Sequence, residues 1–130
     1  MKKLVYQKYK IKRVTWFDES YAVFVDGRIK NMKLEDLYNL SQKLKPLQNI
    51  DMNILNNEDK IVTKEYNGYD MFLIVGKYIF DNHLQKEYIQ KLINNRDDMI
   101  EIGKTILSKA IEYIENLYKK NKEKNYESII

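Results

Sequence analysis

The single histidine of the chain, His83, stands two residues after Asp81 and four before Glu87. On one helix, a four-residue spacing puts His83 and Glu87 on the same face. There an imidazole and a carboxylate can hold a divalent metal or work as a general acid/base pair. No second histidine and no cysteine is available to complete the coordination. Asp81 or Asn82 acting as a helix N-cap accounts for the same residues without chemistry. Glu65 and Asp70 form a second candidate, a carboxylate dyad of the kind that cleaves glycosidic bonds or binds a divalent ion. Their setting at the end of an expected hairpin favours two solvated charges instead.

Asp97, Asp98 and Glu101 make the densest acidic cluster, inside the stretch "INNRDDMIE" of residues 93–101. Asp98 with Glu101 three residues later has the form of a capping box, with Asp where Ser or Thr is usual, and this favours a helix start over an ion site. The four glycines, Gly27, Gly68, Gly76 and Gly103, are too scattered for a phosphate-cradling loop. With no cysteine there is no disulfide framework, thiolate metal site or thiol nucleophile. The expectation is therefore no catalytic residue, no metal and no cofactor: a protein that is not an enzyme.

Binding chemistry is better represented. Lys8, Lys10, Lys12, Arg13, Arg28 and Lys30 are interleaved with Tyr6, Tyr9, Trp16 and Tyr21. A strand surface carrying cations for phosphates and aromatic rings for stacking is a common way to hold single-stranded nucleic acid. The expected binding set is Lys8, Lys10, Lys12, Arg13, Trp16, Tyr21, Arg28 and Lys30. No RRM, OB or KH signature accompanies it, and strand lysines also serve to block edge aggregation. The formal net charge is +4, yet Lys, Ile, Asn and Tyr supply 60 of 130 residues and 20 Lys stand against 3 Arg. That bias follows AT-rich codons, and Arg rather than Lys is the residue of bidentate phosphate and guanine recognition. The basicity is thus partly compositional.

The elements expected to position these residues begin with strands. Residues 3–17 are rich in β-branched and aromatic types, with a phase slip near Lys12 and Arg13 that suggests a bulge. "YAVFVDGRIKN" places Asp26-Gly27 between two strand-like runs, the signal of a two-residue hairpin. That hairpin would put Phe24 and Ile29 on the core face and Tyr21, Val23 and Val25 beside Arg28 and Lys30. Residues 32–45 read as an amphipathic helix, with Leu34, Leu37, Tyr38, Ser41 and Leu44 on one side and Pro46 just beyond. Asn67-Gly68 signals a second hairpin between strands at 61–66 and 69–76, the apolar run Met71 to Val75 suggesting a strand covered on both faces.

From residue 82 to about 121 the pattern is helical. Ile89, Leu92, Met99, Ile100, Gly103, Leu107, Ala110, Ile114 and Leu117 recur at 3-and-4 spacing close to a heptad. A single 40-residue helix would run about 60 Å. Either it breaks, with Asn95 as stop and Asp97 or Asp98 as start, or it stays whole and meets a partner. In the second case Arg96, Ile100, Leu107, Ile114 and Leu117 form a homodimer seam, with Arg96 setting the register. The lysine-rich tail, residues 122–130, would be held through Tyr126, Ile129 and Ile130.

The expected fold is α+β: two antiparallel β-hairpins forming a small sheet, one short middle helix, and a long C-terminal helix or helix pair packed on the sheet. The 130 residues suit a single domain, with 1–80 mostly β and 81–121 helical. Lysines interrupt any leader-like apolar run at the N-terminus and no membrane-length segment occurs, so a soluble, cytoplasmic protein is expected. In size, codon bias, two-sided surface and lack of a catalytic constellation the chain resembles the general run of phage or mobile-element accessory proteins, several of which block host-defence nucleases by binding them. A protein or nucleoprotein partner follows from that resemblance. Direct binding of nucleic acid or nucleotide is the alternative, and a small enzyme centred on His83 a third.

Overall fold

Trp16, Phe17, Ser20 and Val23 are all buried, and their spacing is that of one face of a helix rather than alternate positions of a strand. The computed structural model, which describes residues 14–56 and 68–129, contains no strand among those residues. The described residues form six α-helices: α1 Thr15–Val25, α2 Leu34–Leu44, α3 Gly68–Asp81, α4 Gln85–Asn94, α5 Arg96–Gly103 and α6 Ile106–Ile129. Short 3-10 turns occupy Arg28–Asn31, Lys45–Leu47 and Met52–Asn56. The α+β expectation, with residues 1–80 mostly β, is corrected to a helical fold. Residues 1–13, where the first strand and its bulge were expected, lie outside the described residues, as does the 61–66 strand.

The Asp26-Gly27 signal was misassigned for a physical reason. Gly27 adopts φ +83°, the left-handed conformation a hairpin turn would also demand. Here that conformation ends a helix. The N–H groups of Asp26 and Gly27 donate to the carbonyls of Ala22 and Phe24 at 3.0 and 3.1 Å, and the chain leaves α1 into the 3-10 turn. The β-branched and aromatic residues of α1 have modest helix propensity, which burial overrides.

The run from Met71 to Gly76 is buried because α3 is the central helix, packed against α1 and α6 and, less extensively, against α2. A helix covered on several sides and a strand covered on both faces share the same continuous apolar sequence. Where α1 crosses α3, the Ser20 hydroxyl is turned back onto the Trp16 carbonyl at 2.6 Å. Gly76 lies beneath it, where a Cβ would meet the Ser20 carbonyl oxygen at 2.7 Å. The missing side chain is what lets the two helices approach.

The helix over Leu34–Leu44 matches its expectation, burying Leu37, Ser41 and Leu44. The Asp36 carboxylate accepts the Lys33 backbone N–H at 3.1 Å at its start. The C-terminal region breaks at Asn95, which joins α4 to α5 with φ −153°. It breaks again at Lys104 and Thr105, after which α6 runs on through the lysine-rich tail to Ile129. Both breaks fold the apolar stripe back onto the chain's own helices. Met99, Ile106, Leu107, Ala110, Ile111 and Ile114 all enter the core.

Candidate functional site

His83 sits in the turn between α3 and α4 with φ +56°, a positive value that among the described non-glycine residues only His83 shows. The two bonds around it explain why. The Leu84 N–H donates to the Ile79 carbonyl at 2.9 Å and the His83 N–H to the Phe80 carbonyl at 3.2 Å. This is the Schellman pattern, with His83 in the left-handed position that glycine usually takes and Leu84 folding back over Ile79. The histidine therefore acts as a helix stop. Because the helix ends there, His83 and Glu87 do not share one helix face.

Asp81 is already engaged by the Lys77 ammonium at 3.0 Å and by the Tyr113 hydroxyl, which donates at 2.6 Å. Burial, reinforced by that hydrogen bond to a carboxylate, holds the Tyr113 phenol well above its ordinary range. Among the described residues no group of three or more His, Cys, Asp or Glu side chains is placed to hold a metal ion.

The acidic candidates are likewise in structural pairs. Asp70 faces Lys43 at 3.4 Å, while Glu65 lies outside the described residues. Asp98 accepts a hydrogen bond from Lys91, tying α5 to α4 across the Asn95 break and raising the affinity of that lysine for its proton. Glu101 pairs with Lys104 at 2.7 Å. The expected Asp98/Glu101 capping box does not form, because α5 starts at Arg96 and places Asp97 and Asp98 in its first turn, where the positive end of the helix favours them.

The expected basic-aromatic binding set is dispersed. Lys8, Lys10, Lys12 and Arg13 lie outside the described residues. Trp16 is fully buried, edge-on to Phe17 and Tyr88 at centroid distances of 6.0 and 6.2 Å, and has no face on which a base could stack. Tyr21 is half-buried, edge-on to Phe17 and Phe80. Arg28 opens the first 3-10 turn, and Lys30, in the same turn, is exposed.

The expected seam is split in the same way. Leu107 and Ile114 are fully buried in the chain's own core, whereas Arg96, Ile100 and Leu117 are half-buried. The unbroken helix on which the seam depended is absent.

Sequence reasoning missed the polar contact between α2 and α6. Lys45 and Gln42 converge on Glu115, at 2.6 and 2.8 Å to the same carboxylate oxygen. The Lys45 hydrogen bond is the main cause holding that carboxyl below its ordinary range. One turn further along, Tyr38 stacks on Tyr118 with ring centroids 4.0 Å apart, and the Lys122 ammonium lies 5.6 Å from the Tyr118 ring centre. The partners are some 70 residues apart in sequence, so no local pattern announces them.

No helix among the described residues is long and apolar enough to cross a membrane. Comparison of the chain with protein families, with curated proteins and with solved structures gave no match in any of the three.

Proposed function

We propose that the chain is a non-enzymatic binding protein that acts by occupying a macromolecular partner. The partner class it suits best is a nucleic-acid-processing protein with its nucleic acid, as for phage or mobile-element proteins directed at host defence. The observation that carries this reading is the distribution of charge. Residues 1–13 hold six of the 23 basic residues and none of the 19 acidic ones, so residues 14–130 hold 17 basic against 19 acidic. A basic N-terminal segment followed in sequence by a slightly acidic remainder suits a nucleoprotein, which presents phosphate to one and protein surface to the other. The structural roles of His83 and Asp81 favour binding over catalysis.

Size-exclusion chromatography with light scattering tests it, on the protein alone, with oligonucleotides, and with bacterial lysate before and after nuclease treatment. The expected result is a discrete complex from lysate that is lost when Lys8, Lys10, Lys12 and Arg13 are changed to Gln. An elution unchanged in every mixture overturns the reading. Direct binding of nucleic acid is the second reading, favoured by the same segregation of charge, and it requires that oligonucleotide alone shift the elution.

A further inference from the structure

The contacts between α2 and α6 set the two helices antiparallel: Gln42 meets Glu115, and Tyr38 meets Tyr118 one turn away in each. One more turn brings the start of α2, at Lys33 and Leu34, level with Lys122. The 3-10 turn carrying Lys30 leads directly into Lys33, while Lys119 and Lys120 precede Lys122 on α6. Two basic runs far apart in sequence, "RIKNMK" and "KKNK", thus share one end of the molecule.

We infer that Lys30, Lys33, Lys119, Lys120 and Lys122 form a contact surface for the phosphate backbone of nucleic acid. The inference rests on the nucleoprotein reading but adds to the contact of residues 1–13 a second one, on α6, the start of α2 and the 3-10 turn before it. All five lysines are exposed, and none makes an ion pair with a carboxylate among the described residues. Lys119 lies within electrostatic reach of Glu115, which is already engaged by Lys45. Among the described residues, the acidic side chains next along the chain are Asp26, before the 3-10 turn, and Glu35 and Asp36 in the first turn of α2, the last bonded to the Lys33 backbone.

The chemistry favours phosphate over an acidic protein. Protein interfaces centre on apolar and aromatic side chains and are poor in Lys. The large apolar side chains most exposed among the described residues, Val25 and Ile54, lie on neither α2 nor α6. Lysine is a point charge without the planar fork of arginine, and this suits contacts that position a polyanion without reading its sequence.

The test compares three proteins by fluorescence anisotropy on labelled duplexes of unrelated sequence across a salt series. They are the unmodified chain, a variant with the five surface lysines changed to Gln, and the variant with Lys8, Lys10, Lys12 and Arg13 changed to Gln. Each phosphate contact contributes about 0.9 to the slope of log affinity against log salt, so losing five contacts should flatten the slope by about 4.5. That change, equal on all sequences and reversed when the five positions carry Arg, supports the surface. Circular dichroism confirms that the variants remain helical.

If the five-lysine variant binds as the unmodified chain does while the N-terminal variant fails, this surface is overturned and the nucleoprotein reading stands. Binding to polyglutamate but not to DNA overturns it in favour of an acidic protein. Absence of any binding overturns this surface and the direct nucleic-acid reading, while the nucleoprotein reading is then decided by the complex from lysate.

Discussion

Two helix contacts within this chain are built on opposite principles. Where α1 crosses α3, Ser20 is fully buried with its hydroxyl turned onto its own helix, Gly76 presents no side chain, and Phe24 stacks flat on Phe80 at 4.0 Å. Where α2 meets α6, Lys45 and Gln42 converge on Glu115, and the Lys45 and Glu115 side chains keep 42% and 21% of their surface exposed. The first contact depends on shape, the second on charge half in water. A dry crossing responds steeply to one methyl group, whereas solvent replaces most of what a half-exposed ion pair supplies.

The largest expected effect is at the crossing. A Cβ at position 76 would sit 2.7 Å from the Ser20 carbonyl, a backbone atom that cannot move without its helix. Gly76→Ala should cost about 1–2 kcal/mol, overpacking exceeding the gain in helix propensity. A urea denaturation midpoint that rises would refute the contrast. Next comes Gly103→Ala, whose Cβ would meet the Trp16 indole nitrogen at 2.6 Å and the Asn53 amide at 2.8 Å. Trp16 is locked in the core, but Asn53 is a side chain that can yield, even though it ties the 3-10 turn to the Ile100 carbonyl at 2.7 Å. Because the locked indole cannot give way, the cost should be comparable to that at Gly76, about 1–2 kcal/mol.

His83→Gly should stabilise the fold by about 0.5 kcal/mol, because glycine takes the left-handed position with less strain, and the gain is partly offset by greater freedom in the unfolded chain. A lower melting temperature for this variant would show that the imidazole makes a contact worth more than the backbone strain.

The smallest effect belongs to the polar contact: Glu115→Gln should cost at most about 0.5 kcal/mol at neutral pH. Its signature is pH dependence. The Glu115 carboxyl is held below its ordinary value of 4.5, so its contribution is present above that pH and is lost as pH falls through the lower folded value. The difference in urea midpoint between the unmodified chain and Glu115→Gln should therefore shrink below pH 4.5, and a difference that grows there would contradict the assignment.

The same division governed how legible the fold was. The α2 helix shows a clean alternation of polar and apolar faces, with acids in its first turn and lysine in its last, and could be read directly. The helical character of residues 82 to about 121 was equally visible, though not its break at Lys104 and Thr105. The α1 and α3 helices are hydrophobic on several sides and rich in residues that favour strands, so no polar face marks their period. Asp26-Gly27 was then ambiguous, since a hairpin turn and a helix stop both require a residue with positive φ. As for the candidate site, the lysines of 28–33 and 119–122 were visible as composition, but their shared end of the molecule was not.

By itself the sequence determined the absence of thiol chemistry, the basic character of residues 1–13, and the helices whose exposed faces carry their own period. Tertiary structure alone decided that Trp16 is core rather than a stacking platform, that His83 is a helix stop, and that Leu107 and Ile114 face inward rather than toward another copy. A buried residue reveals that something covers it, and only the packing shows what.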